Sequence, residues 1–402
     1  MDHIQGKNTF KHMVSSWWMP FGLLILLIGM FIFPSRGGYK TIIYLVFILP
    51  CLIYLLMDIK GTGKNYFNGT VLLAVLAIFY LAISSQWSSD PDVLKKIKYA
   101  LVIVVSGYGI YCLINHQYRL FSYISIFSVV LVGVFSVVWI VDFYIGNNYP
   151  LVQRFFAGAT NHFGIYKPRA YANFYNPLLL SHALTFFFTL GLYFFRLTKK
   201  RSLQITLLLS ISSILTLIFL AQTQMAWIMV AIISTFHAVV RYRQKSVWII
   251  LAICLLLALS IWYLHYVQLK SGFSYRLEIW VQSFFLFLEK PWFGHGLGGY
   301  PPIAPRGGII LADTHNIYLA LLYYSGLCGL LLFALVGLSM IRTALRERNA
   351  DQTWFLQWLI FVLFVQMTDG GGLVARPSEY WFSLWIPAMF LLAQTRAWEL
   401  KT

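Results

Sequence analysis

The chain has 402 residues, of which 59% are hydrophobic, 18% aromatic and only 11% charged. So little charge excludes a water-soluble protein of this length and makes lipid the solvent for most of the chain. Lys and Arg outnumber Asp and Glu by 30 to 13, but they gather between the apolar segments, as membrane anchoring requires, so the excess does not point to a nucleic-acid partner.

Apolar runs long enough to span a bilayer begin at about 17–34, 41–57, 70–87, 99–115, 120–145 and 177–195. They continue at about 203–221, 224–240, 247–267, 316–341, 353–368 and 380–395. This predicts an all-α polytopic membrane protein, residues 1–402 forming one integral membrane domain of about twelve transmembrane helices. The first run is followed by "FPSRGG" rather than by a small-residue cleavage site, so it reads as a retained span. Cys51, Cys112, Cys254 and Cys328 all fall inside apolar segments without metal-ligand spacing and read as small buried hydrophobes.

The clusters "RLTKKR", "RYRQK" and "RTALRER" alternate correctly with the spans if both termini are cytoplasmic. Two long loops, about 146–176 and 268–315, then face the periplasm, where Lys and Arg are permitted but not required. A bound anion would give those cations a purpose. The first loop contains Lys167 and Arg169 in "YKPRAYANFYNP", whose aromatics can form an interfacial belt or stack on a sugar ring. The short outward turn "LAQTQMAW" places Gln222, Thr223 and Gln224 at the bilayer edge, as helix caps or as groups facing a cavity.

The longer loop predicts an amphipathic helix from Leu277 to Leu288, with Trp280, Phe284, Phe287 and Leu288 on one side, lying at the interface or roofing a cavity. Arg276 sits at its N-terminal edge, where free N–H groups and the helix dipole favour an anion; a salt bridge to Glu278 or Glu289, or contact with lipid headgroups, is the plainer alternative. The "GHGLGGY" that follows fails as a dinucleotide fingerprint, having no strand before it. It can form a phosphate-binding nest or, more simply, a flexible turn closing the helix back onto the bundle. Next comes "DTHNIYLALLYYSG", where Asp313, Thr314 and Asn316 suit a helix start and His315 is left over. Arg376 lies in the loop before the final span. His182 and His237 fall within spans and read as core residues, whereas His162 and His295 lie in outward loops and can assist a site.

Taken in order, these segments resemble the O-antigen ligase and polymerase superfamily, bacterial inner-membrane glycosyltransferases of the C fold. The resemblance covers about residues 160–380. It is carried by R-x-x-x-W at Arg276 to Trp280, by "KPWFGHGLGGY", and by His315-Asn316 followed by Gly326 and Gly329. "PRAYANFYNP" is similar to the family's R-x-x-G-x-F-x-N-P, with Ala172 replacing Gly. In the short turn, where the family usually has Arg in a T-x-S-R-A pattern, this chain has Gln224. Gln can bond a phosphate oxygen but brings no charge, so Arg169, Lys167 or Arg376 has to replace the missing cation, or the donor differs.

The resemblance implies a ligase that transfers a glycan from undecaprenyl pyrophosphate to lipid A-core on the periplasmic face of the inner membrane, with no cofactor or metal. Such a reaction needs charge stabilisation of the pyrophosphate and a base for the acceptor hydroxyl. Arg276 and His315 are the expected catalytic pair, with Asp313 orienting the imidazole. Arg169, Lys167, Gln224, Arg376, Trp280 and Asn316 are the expected substrate contacts. A polymerase extending lipid-linked repeats is the alternative enzyme. A lipid-linked glycan transporter is a third reading, but it calls for ionisable groups near mid-bilayer, whereas here they cluster at one edge.

Overall fold

The computed structural model describes residues 11–33, 36–58, 66–145, 174, 177–221, 223–242, 276–299, 301–303, 314–346, 350–368 and 371–397. Apart from the links between them, these residues are helical. The helices are α1 Lys11–Ile32, α2 Gly37–Asp58, α3 Gly69–Trp87, α4 Val93–His116 and α5 Tyr118–Ile145. They continue as α6 Pro177–Leu197, α7 Arg201–Ala221, α8 Gln224–Tyr242, α9 Arg276–Glu289, α10 Ile317–Arg346, α11 Ala350–Val365 and α12 Trp385–Ala397. Among the described residues, eight helices are long and apolar enough to cross a membrane: α1 to α7 and α10. The expected spans near 224–240, 353–368 and 380–395 appear as shorter apolar helices, and the one near 247–267 lies outside the described residues.

The chain divides into two compact units. The first contains α3, α4, α9 to α12 and the parts of α1 and α2 below Gly22 and beyond Ile43; the second contains the remainder of those two helices and α5 to α8. In the second unit α6 packs along α7 and α8. Gly133 of α5 brings that helix against Ser210 of α7, where the Ser213 hydroxyl donates to the Gly133 carbonyl at 3.0 Å. Small residues let helix backbones approach closely where lipid supplies no hydrophobic drive for association.

In the first unit α4 lies along α12, and α3 pairs with α10. Two polar contacts set the antiparallel register of α3 and α10: Thr70 Oγ1 to Ser339 Oγ at 2.6 Å, and the Tyr80 hydroxyl donating to the Ser325 carbonyl at 3.1 Å. Gly22 lets α1 meet the backbone of α2 at Val46, and Gly109 lets α4 meet Cys51. Cys51 and Cys112 are buried free thiols and Cys328 is half-buried, as their apolar settings predict. Lys11 pairs with the buried Asp58, which also accepts from the Tyr108 hydroxyl at 3.1 Å. The start of α1 and the end of α2 therefore share one edge of the bundle, as an N-terminal helical hairpin requires.

Candidate functional site

Helix α10 opens on the "THN" sequence, and its polar residues divide the work. Asn316 caps the helix: its Oδ1 accepts from the backbone N–H of Tyr318 at 2.9 Å and of Leu319 at 3.2 Å. The hydroxyl of buried Thr314 donates to the Asn316 carbonyl at 2.9 Å. Between these two residues His315 is half-buried and has a φ of 48°. Among the described residues it is the one non-glycine residue in the left-handed region, where backbone strain tends to gather at functional positions. Asp313 lies outside the described residues.

Helix α9 begins at Arg276, as the sequence predicts, and packs against α10. Arg276, Trp280, Ser283 and Phe287 follow the i, i+4, i+7, i+11 spacing of one helical face. Ile279, Ser283 and Phe287 are buried there, so Arg276 and Trp280 belong to the bundle side of the helix. Both are half-buried, and the Trp280 indole N–H has no hydrogen-bond partner among the described residues. The expected apolar side is one arc, with the rings of Phe284 and Phe287 5.8 Å apart, but it is not uniformly covered. Phe287 is buried and Trp280 half-buried, whereas Phe284 and Leu288 are exposed, a gradient that the pattern of hydrophobic residues alone does not reveal.

The glycine-rich segment after α9 is a brace for α10. In its third turn α10 is broken at Gly326, whose φ of 63° and ψ of −163° are not helical. The carbonyls freed there, Tyr323 and Tyr324, accept from the N–H groups of His295 at 2.7 Å and Gly296 at 2.9 Å. The freed N–H groups of Leu327 and Cys328 donate to the carbonyls of Pro291 at 2.8 Å and Trp292 at 3.2 Å. Glycine is required on both sides of the junction, because Gly294 has a φ of 68° and a Cβ on Gly326 would strike the Trp292 carbonyl.

The brace extends to the link between α3 and α4. Leu297 N–H donates to Ser84 Oγ at 3.2 Å, Gly299 N–H to Ser88 Oγ at 2.7 Å, and the Trp87 indole N–H to the Phe293 carbonyl at 3.2 Å. The expectation of a phosphate nest in "GHGLGGY" is therefore overturned for the amides of Gly294, His295, Gly296, Leu297 and Gly299, since each already has an acceptor within the protein. The alternative, a turn that closes the helix back onto the bundle, agrees with these bonds, which tie the segment to α10 and α3 along most of its length. His295 shares in this: its Nε2 lies 2.8 Å from the Leu286 carbonyl and its ring stacks on Tyr323 with centroids 4.6 Å apart. It ties α9 to α10, a role that outward position alone does not reveal.

Arg376 is exposed in the segment before α12, within the same unit as Arg276 and His315. Gln224 is the first residue of α8, in the other unit. Lys167 and Arg169 lie outside the described residues, as does His162, while His182 and His237 are buried within α6 and α8. Among the described residues no group of His, Cys, Asp or Glu is placed to hold a metal ion.

Residues 205–334, which run from α7 through the brace and past the Gly326 break, match the O-antigen ligase family model. That stretch is therefore similar to the O-antigen ligase family. It is also 26% identical over 395 residues to the O-antigen ligase of Pseudomonas aeruginosa, an alignment covering 96% of this chain and 93% of that protein. The ligase match contains Gln224, Arg276, Trp280, the brace, His315 and Asn316, the segments whose order carries the resemblance in the sequence. Arg169 and Arg376 fall outside it.

Proposed function

We propose that the protein is an O-antigen ligase that transfers a glycan from undecaprenyl pyrophosphate to a hydroxyl of lipid A-core on the periplasmic side of the inner membrane. The observation that carries this reading is His315. It sits half-buried in a left-handed turn at the head of α10, between the two residues whose bonds are those of the cap, and an imidazole is the side chain most easily poised as a base near neutral pH. In the proposed step a neutral His315 imidazole takes the proton of the acceptor hydroxyl. The acceptor oxygen attacks the anomeric carbon, the bond from that carbon to the pyrophosphate oxygen breaks, and undecaprenyl pyrophosphate leaves with the bonding pair. Arg276, at the N-terminus of α9, stabilises the negative charge on the departing oxygens together with the helix dipole.

Trp280, one turn further along the same face, supplies an apolar surface and an indole N–H, and Asn316 offers its amide NH₂ while Oδ1 holds the cap. Arg376, Lys167 and Arg169 are the proposed sources of the cation absent at Gln224. The reading is tested by incubating purified protein with lipid-linked glycan and lipid A-core and following the core onto which glycan is transferred. Glycan-bearing core is the result expected. Elongation of the lipid-linked donor without any transfer to core would instead identify a polymerase.

A further inference from the structure

Helix α9 has three sides rather than two. At about 100° per residue, Leu277, Val281, Phe284, Phe285 and Leu288 fall within an arc of about 100°. Their exposure runs from 46% for Phe284 to 71% for Leu277. Glu278, Gln282 and Glu289 make a polar strip beside them, and the remaining side is the one packed on α10. The exposed stripe continues past the helix into Trp292 and Phe293, which are 65% and 61% exposed.

The level of this stripe is fixed by the brace. Apolar α3 ends at Trp87, and "SSDPD" follows before α4, so a bilayer edge lies at that link. In this link the Asp92 N–H donates to Ser85 Oγ at 3.0 Å, and the hydrogen-bonded Lys95 ammonium holds the Asp92 carboxyl below its usual pKa. The Phe293 carbonyl is bonded to the Trp87 indole, and Leu297 and Gly299 are bonded to Ser84 and Ser88. The C-terminal end of α9, four residues before Phe293, is thereby held at the same bilayer edge. An exposed apolar stripe, a neighbouring polar strip, the exposed Lys290 and the two tryptophans Trp87 and Trp292 at that level are the features of a helix lying in the membrane interface.

We infer that α9 is seated in the lipid leaflet adjoining the His315 end of α10, with its Leu277–Leu288 stripe against phospholipid acyl chains. Arg276 on the opposite side is then carried at headgroup depth. This seat does not depend on which reaction the site performs. Two measurements test it in protein reconstituted into phospholipid nanodiscs. In the first, spin labels are placed at Leu277→Cys, Phe285→Cys and Glu289→Cys in a variant with Cys51, Cys112, Cys254 and Cys328 replaced by Ala. Collision with oxygen should exceed collision with a water-soluble nickel chelate several-fold at 277 and 285, and the ratio should invert at 289.

The second keeps the native cysteines in case their replacement prevents folding. Benzoylphenylalanine at position 285 should cross-link to phospholipid on illumination, as it should at the exposed Phe219 of α7 and not at the buried Phe287. Nickel accessibility at 285 equal to that at 289 would overturn the proposal. So would cross-linking of position 285 to this chain, to a second protein or to lipid A-core in place of phospholipid. Loss of transfer activity with the lipid contact intact would count against the ligase reading alone.

Discussion

At the scale of single residues, the head of α10 sets the capping residue Asn316 beside His315, the proposed base. Asn316→Ala removes both acceptor bonds of the cap and is expected to cost about 1 kcal/mol of stability. His315→Asn is expected to fold, because Asn tolerates the left-handed conformation, yet to lose a factor of about 100 to 10,000 in transfer rate, because its amide cannot accept a proton at neutral pH. A near-normal rate for purified His315→Asn would place the base elsewhere. Arg276→Ala is expected to abolish transfer, and Arg276→Lys to recover little, since an ammonium lacks the planar fork that matches phosphate oxygens. Gln224→Ala should be milder than Arg276→Ala, since a neutral hydrogen bond is weaker than a charge-assisted one, and initial rates at matched protein levels compare the two. His315 was legible in the sequence as the polar residue that no cap explains. Its φ was not, because Asn, Asp and His all enter the left-handed region and only the fold decides which one does.

At the scale of elements, the brace is where sequence and structure part. A run of glycines after an amphipathic helix reads as a loop, and nothing in "GHGLGG" announces that its partner is the interior of a later helix. The partner has its own local signal in Gly326, but an apolar run of helical length hides the break. Apolar periodicity therefore located α10 correctly and missed its discontinuity. The same limit applies to α9, whose boundaries the pattern located without showing which part of its apolar side is buried and which exposed. Gly326→Ala places a Cβ against the Trp292 carbonyl and forces a non-glycine residue to a φ of 63°. The strained backbone alone costs about 1–3 kcal/mol, so a lowered thermal midpoint in detergent and faster hydrogen exchange at Leu327 and Cys328 are expected. Unchanged exchange there would mean that the brace bonds are not what holds the break.

For the whole molecule, the positions of the eight spans among the described residues followed from apolar length and the Lys and Arg clusters propose their sidedness, but the packing within the two units did not follow, because contacts between distant helices leave no periodic trace. Cysteine labelling checks the sidedness. Lys290→Cys is expected to react with a membrane-impermeant maleimide once only the outer membrane is opened, and Lys199→Cys only after the inner membrane is opened as well. The reverse order would move the candidate site to the cytoplasm.

The break at Gly326 also bears on the bilayer itself. Below it, the stem of α10 runs from Leu327 to Arg342, which at 1.5 Å per residue is about 24 Å, and α11 is of similar length. A typical hydrocarbon core is about 30 Å thick. The stem alone falls short of that, so α10 needs the residues Ile317–Ser325 above the break to cross, and the brace bonds are what keep them attached to it. Gly326→Ala is therefore expected to lower the thermal midpoint more in long-chain than in short-chain bilayers, and an equal loss in both would mean that the brace does not set the length of the span.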